Sequence, residues 1–225
     1  MFRTIVRMKP TVEPPIDPSS AERVLEAAEV LFATHGFEAT SVRAITAAAK
    51  VHLSAVNYHF GSKENLIIEV LRRAIRPLNA RRLALLESSI TQHSPQAVPL
   101  PELLETMLRP CLEMSLDPER RQIFHLLERS MSEEGNFIRE ILETEWLPMV
   151  QRYMSEYQRT LPDVPADEIH WCIHFTIGAM IHTVRHSTDL EALSQGRCRL
   201  ETEACLERLI RFACAGLERA RSLKP

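Results

Sequence analysis

Apolar residues recur along this chain at three- and four-residue spacing from residue 19 onward, with no stretch of strict alternation. The pattern predicts helices only. Val24, Leu25, Ala28, Leu31 and Phe32 form one apolar face of a first helix. Ser19-x-x-Glu22 is a capping-box pattern at its start, and Gly36 ends it as a left-handed C-terminal residue would. A second short helix opens at Thr40 or Ser41, both good N-caps, with Val42, Ile45 and Ala49 facing inward. A third runs from about His52 to His59. Ser62 caps a fourth, in which Leu66, Val70 and Leu71 are apolar; Pro77 is expected to kink it before it resumes through Arg81 to Ile90.

A Pro-rich loop is predicted over 91–101, and only helical signals follow it. Helices are expected near 101–116, after Asp117 with Pro118 in the first position, and over 137–161, 166–187 and 200–222, with a break at Gly135. The fold class is therefore all-α. It divides into an arm over 1–18 that carries four prolines, a three-helix unit over 19–66, and a helical bundle over 67–225. In the arm, Arg3, Arg7 and Lys9 read as part of a solvated tail that can also reach DNA phosphates.

Composition narrows the function. The chain has 225 residues, 45% of them hydrophobic, and a formal net charge of -3, so it is not a generally basic nucleic-acid binder. Its five cysteines (Cys111, Cys172, Cys198, Cys205, Cys214) form no Cys-x-x-Cys pair and read as reduced thiols of a cytoplasmic protein. No apolar run approaches the ~20 residues of a membrane span, and the longest candidate, 173–184, is interrupted by His174 and His182. No Gly-x-Ser-x-Gly, phosphate-cradling glycine loop or metalloprotease motif is present, so no enzyme, catalytic residue or cofactor is expected.

The stretch 40–66 holds a short helix, a tight turn and a second short helix, the layout of a helix-turn-helix whose second helix enters the DNA major groove. His52, Leu53, Ala55, Asn57 and Tyr58 are candidates to reach the groove, with Ser54 a further candidate DNA contact: Asn bonds adenine bidentately, His donates to guanine, and Leu and Ala touch thymine methyls. Thr40, Ser41, Tyr58, His59 and Lys63 are candidates for phosphate oxygens, helped by the N-termini of the second and fourth helices. A Tyr-His-Phe run also occurs in ordinary cores. The unit is not basic either, since 19–66 carries four Lys/Arg against five Asp/Glu. Counterion release per half-site is then modest, and a homodimer that doubles the contacts is expected.

Over about forty residues the chain resembles the DNA-binding domain of the TetR family of bacterial regulators. The residues that carry the resemblance are Ala27-Ala28-x3-Phe32-x3-Gly36-Phe37, Thr40-Ser41-Val42-x2-Ile45 and Val56-Asn57-Tyr58-His59-Phe60-x-Ser62-Lys63-Glu64-x-Leu66. The resemblance implies a dimeric regulator, usually a repressor, that binds double-stranded palindromic operator DNA and releases it when a ligand occupies the C-terminal domain. Two residues depart from the pattern: Lys50 stands where the turn usually carries Gly, and His52 where the third helix is usually capped by Ser. Farther on, Ile123-Phe124-x-Leu126-Leu127, Arg152-Tyr153-Met154 and His170-Trp171-x2-His174-Phe175-x2-Gly178-Ala179 are similar to the branch that senses long-chain fatty acids or their CoA esters.

Aromatic and Met stripes are usually plain core, but a sensor needs a cavity. Leu104, Met107, Leu108, Phe124, Leu127, Met131, Ile141, Trp146, Met149 and Phe175 are expected to line one for a small hydrophobic effector, with an acyl chain and a bulky planar compound as competing ligand classes. His170, His174, His182 and His186 fall on one four-residue row with Gly178. Such a row can chelate a metal, but no ligand cluster joins it, and a dimer seam is expected instead. His174, Gly178 and His182 would meet Leu206, Leu209, Ile210, Ala213 and Leu217 of the last helix in that seam. A helical adaptor that binds no DNA is the alternative from another class.

Overall fold

The computed structural model describes residues 19–118, 120–130 and 136–221. The N-terminal arm, Met131 and Gly135 lie outside the described residues. Every regular element among those described is helical. In chain order these are α1 (Ser20–His35), α2 (Val42–Ala48), α3 (Ser54–Phe60), α4 (Lys63–His93), α5 (Leu100–Leu116), α6 (Arg121–Ser130) and α7 (Asn136–Ile141). A π-helical turn (Leu142–Trp146) follows, then α8 (Leu147–Thr160), α9 (Ala166–Arg185), α10 (Ser187–Leu193) and α11 (Thr202–Ala220).

The first three helices close over a small core. Val24, Ala28 and Phe32 of α1, Ile45 of α2 and Val56 of α3 are fully buried, together with Leu66 and Val70 of α4. Local signals start and stop these helices. Ser41 is extended, and its side chain accepts from the Ala44 N–H at 3.1 Å. Ser62 does the same for α4, accepting from the Asn65 N–H at 3.1 Å. Gly36 takes φ +90°, a conformation that favours glycine; a Cβ there would sit 2.7 Å from Arg129 Nη1, the movable end of a long side chain, so the dihedral rather than space makes the demand. The expected capping box does not form. Ser19 has helical dihedrals (φ −68°, ψ −13°), which point its side chain away from the capping position.

α4 crosses the expected boundary between residues 66 and 67 without a break, running 31 residues with Pro77 inside it. α6 starts at Arg121 rather than at Pro118; Asp117 is the C-cap of α5, and its carbonyl accepts from the Arg120 and Arg121 N–H groups. The stretch 137–161 is interrupted by the π-helical turn, in which the Leu147 N–H reaches back to the Leu142 carbonyl. Pro148 explains this. It has no N–H to offer, and its ring would crowd the carbonyl four residues earlier, so the chain widens by one residue before α8. α10 was not visible in the periodicity; it is a seven-residue helix with no buried residue.

Two packing zones join the three-helix unit to the bundle. Phe37 meets Phe137 of α7 with ring centroids 5.7 Å apart, and Arg73 of α4 pairs with Glu22 of α1 at 2.5 Å. α6 lies along α1, where Arg129 packs on Gly36.

Lys50, in the turn between α2 and α3, takes φ +53°. A side chain there costs on the order of 1 kcal/mol of strain, part of which glycine gives back through its freer unfolded chain. Lys50→Gly should therefore raise the melting temperature by about 1–3 °C for a chain of this size, as read by differential scanning calorimetry; a drop would mean that the Lys50 side chain makes a compensating contact.

Candidate functional site

α3 is held from behind and open in front. Val56 and Ala55 point into the core, and Ala55 is only 2% exposed, so it is not among the residues that can meet a thymine methyl. His59 is likewise turned inward: its Nε2 bonds the Ser20 hydroxyl at 2.6 Å, which fastens α3 to α1 and removes the ring from the phosphate contacts expected of it. Thr40 is 2% exposed, and its hydroxyl lies 2.7 Å from the Gly36 carbonyl and 3.2 Å from that of Leu31. It locks the α1–α2 loop and is not free for phosphate. The exposed set is His52, Leu53, Asn57 and Tyr58, with Tyr58 71% exposed, flanked by Ser41 on α2 and Lys63 on α4. Lys63 Nζ also donates to the Glu38 carbonyl at 3.3 Å, which fixes it beside the α1–α2 loop.

His52 lies one residue before the N-cap of α3, which is Leu53 and has no side-chain cap bond, and His52 makes a local bond of its own instead. Its Nδ1 accepts from the Ser54 N–H at 3.4 Å and bonds the Ser54 hydroxyl at 2.8 Å. With Nδ1 acting as acceptor, the ring proton sits on Nε2, which leaves a donor on the exposed side. Ser54 is thereby a partner of His52 rather than an independent reader.

The second site is a cavity of about 300 Å³ enclosed by α4, α5, α6, the π-helical turn, α8 and α9. Its walls include Leu78 and Arg82 of α4, Met107 and Cys111 of α5, and Phe124 and Leu127 of α6. Leu142 and Trp146 of the π-helical turn, Met149, Tyr153 and Tyr157 of α8, and His170, His174 and Met180 of α9 complete them. Of the residues expected to line a cavity, Met107, Phe124, Leu127, Trp146 and Met149 do so. Leu104, Leu108 and Ile141 sit in the core behind the wall, at most 2% exposed. Phe175 is on the opposite face of α9, 58% exposed and stacked on Trp171 at 5.5 Å. Tyr153 and Tyr157, one helical turn apart on α8, also wall the cavity although neither was among the residues expected there. Tyr153 donates to the Arg82 carbonyl at 3.0 Å, and burial pushes its pKa up to about 12.

A polar latch ties the cavity to α4. Glu145, next to the cavity residue Trp146, accepts from Arg72 Nε at 3.1 Å and from Arg76 Nη2 at 3.0 Å. Its own carbonyl accepts from Asn79 Nδ2 at 2.8 Å. Burial opposes ionisation of Glu145, but the bonds from Arg76 and Arg72 outweigh it and hold the carboxyl below the usual carboxylate range. Arg76 is 62% exposed and its share is screened by water; Arg72, at 19%, contributes more.

Most of the residues expected at a seam between copies are engaged within the chain. Leu206, Leu209, Ala213 and Leu217 are buried within the chain, where α11 packs on α5 and α9, and are not free to meet a partner. Ile210 is half-buried. His174 walls the cavity, and Gly178 and His182 remain exposed on α9. An added Cβ at Gly178 would meet nothing within 4 Å. The apolar residues left uncovered on these two helices are Trp171, Phe175 and Phe212, each more than half exposed. The amphipathic pattern of α11 misled because its stronger apolar stripe was consumed inside the chain, leaving a second, weaker face outside.

The structure thus joins a helix-turn-helix unit to a helical bundle with an internal cavity. Two family models match the chain: "Bacterial regulatory proteins, tetR family" over residues 24–70 and "Tetracyclin repressor-like, C-terminal domain" over residues 105–216. The chain belongs to the TetR family of transcriptional regulators. Among curated relatives, the probable HTH-type transcriptional regulator YttP of Bacillus subtilis is 27% identical over 127 residues, which is 56% of this chain and 57% of that protein. The chain thus spans little more than half the length of this relative. A TetR family regulator from Marinobacter aquaeolei has the same fold, with a TM-score of 0.62 at 18% identity, covering 88% of this chain and 95% of that one. The fatty acid degradation regulator FadR of Bacillus halodurans superimposes with a TM-score of 0.61 at 14% identity, covering 87% and 98%. No described helix is long and apolar enough to cross a membrane.

The latch has a measurable signature. Because the Glu145 pKa is lowered by folding, its stabilisation is present above the usual carboxylate range and is lost as pH falls through the lowered value. Glu145→Gln should reduce the melting temperature by about 2–6 °C near neutral pH, the effect of losing a charge-assisted contact of roughly 1–2 kcal/mol. The gap to wild type should close in acid. A gap independent of pH would assign the effect to packing rather than to the ion pairs.

Proposed function

We propose that this chain is a homodimeric repressor that binds a palindromic operator through α3 and is released by a small hydrophobic effector. The observation that carries the reading is the path of α4: its first turns are buried in the reader core, and its later residues Leu78 and Arg82 wall the cavity. An occupant of the cavity therefore bears directly on the helix that seats α3. A second path runs through α6, whose Phe124 and Leu127 face the cavity while Arg129 packs on Gly36 at the end of α1. The ligand acts through its different affinity for the DNA-competent and DNA-free states, and the Glu145 latch is the contact that would carry the shift to α4.

On DNA, Asn57, Leu53 and the Nε2 side of His52 would read bases, while Tyr58, Ser41, Lys63 and the N-terminus of α4 would hold phosphates. In the dimer, Trp171, Phe175 and Phe212 would be covered, with Gly178 allowing close backbone approach and His182 adding a polar contact. The two α3 helices would then lie about one DNA turn apart, ~34 Å. Fatty acids and their CoA esters are the candidate effectors from the sequence. A planar aromatic compound is the second reading, favoured by the Trp146, Phe124 and Tyr153 rings in the wall. FadR of Bacillus halodurans lends its fold to this argument but, at 14% identity, not its ligand.

The dimer is tested by sedimentation equilibrium with and without DNA from the chain's own promoter region. Two chains per operator are expected. Phe175→Glu should give monomers and weaken operator binding at least about tenfold, since each buried aromatic anchor is worth on the order of 2 kcal/mol or more. A wild-type monomer that binds the operator with full affinity would sink the reading. In gel-shift titrations against base-substituted operators, Tyr58→Phe should weaken all sites uniformly, whereas Asn57→Ala should cost about 1–3 kcal/mol at one base position and relax preference there. Identical behaviour of the two variants would show that this division of roles is wrong.

A further inference from the structure

Arg82 lies 4% exposed in the wall of the effector cavity. It has no carboxylate partner among the described residues. Its Nε donates to the Met107 carbonyl at 2.9 Å, its guanidinium sits over the Trp146 ring at 5.8 Å, and the Cys111 thiol lies beside it. Among the described residues the Met107 carbonyl and the Cys111 sulfur are its hydrogen-bonding partners, and neither is charged to match the guanidinium. A guanidinium cannot shed its charge on burial, so it stays a full cation facing an apolar space. The one carboxylate that shares the wall, Glu128, is taken by Arg185, with His125 also 3.6 Å away. The other arginines of α4 (Arg72, Arg73, Arg76, Arg81) each have a glutamate within reach, which sets Arg82 apart.

We propose that the effector is an amphipathic anion, an apolar acid whose carboxylate pairs with the Arg82 guanidinium while its body fills the space between Phe124, Leu127, Met149 and Met180. This rests on the reading that the cavity is the effector site; it assigns a residue to the acidic end of the ligand and extends the requirement for an acidic end to the planar aromatic class. The geometry suits a fork-to-fork pair, because the flat guanidinium offers two parallel N–H groups to a carboxylate. It also gives Arg82 a role in the switch. The same side chain is anchored on α4, braces Met107 of α5 and contacts Trp146, the neighbour of the latch residue Glu145. An anion drawn to Arg82 would therefore pull at the junction of these three elements.

The test compares acids with their uncharged twins on the full-length protein. Isothermal titration calorimetry at neutral pH with decanoate against decanol, and naphthoate against naphthol, should give at least one acid that binds about tenfold or more tightly than its alcohol. In Arg82→Gln, which can keep the bond to Met107, that ratio should fall to about one while alcohol affinity holds. Arg82→Lys should retain part of it. Equal affinity of acid and alcohol for the wild type overturns the proposal, as does a ratio that survives in Arg82→Gln or a parallel loss of both ligands. If Arg82→Gln does not fold, the wild-type and Arg82→Lys ratios still decide. A gel shift separates this from the regulatory reading: an acid that pairs with Arg82 without releasing operator DNA leaves the anion site standing and sinks the release mechanism, whereas release by the alcohol at equal potency does the reverse.

Discussion

One helix belongs to two cores. α4 extends 31 residues, about 46 Å at the usual helical rise, and is buried at both ends. Leu66 and Val70 complete the small three-helix unit, which cannot enclose an apolar centre by itself. Leu78 and Leu86 pack into the bundle. Each such side chain contributes on the order of 1.5–3 kcal/mol, so neither half can let go of the helix without losing a large fraction of a typical stability. The reader therefore has no hinge at the domain boundary, and any change in its setting must come through displacement of α4 or of the elements that lean on it.

The wall of the cavity is built from the same elements that lean on α4. Pro148 forces the chain before α8 into a π-helical turn, and that turn places Trp146 on the cavity side and Glu145 on the α4 side. The result is a short lever with an apolar arm and an ionic arm. Arg82 sits where both meet. Its burial without a counter-ion would be an unrelieved cost in a purely structural core, whereas an all-apolar residue of similar length would pack there freely. The arrangement is intelligible as a trade of stability for recognition, the common pattern at sites that bind charged ligands.

Much of this was legible along the chain because it is governed locally. Ser41, Ser62 and Gly36 mark helix ends through bonds and dihedrals that involve only a few neighbouring residues, and Lys50, readable as a departure from the usual Gly, does fall where the backbone is left-handed. The core face of α1 and the inward positions of α2 follow from three- and four-residue spacing. What spacing does not reveal is which partner consumes a given face. Thr40, Ala55 and His59 have the right chemistry and register to touch DNA, but the first bonds its own loop, the second fills the core and the third clasps Ser20. The apolar stripe of α11 was likewise readable as a stripe, yet α5 and α9 occupy it, and the face left uncovered is the one with Phe212.

The amino-acid sequence by itself determined the helical class, the helix-turn-helix with its unusual Lys50 and His52, and the presence of enough Met and aromatic side chains to wall a cavity. These rest on short-range forces: backbone hydrogen bonding, capping, and the helical repeat of apolar positions. Only the tertiary structure decided which residues surround the cavity, that Arg82 is buried there with no carboxylate, that Glu145 bridges to Arg72 and Arg76, and that Trp171, Phe175 and Phe212 remain outside. The bonds of Arg82 and Glu145 alone join groups from 25 to 73 residues apart in sequence. Helical periodicity fixes only which way a side chain points on its own helix, so what it meets across such a gap is set by how the helices pack.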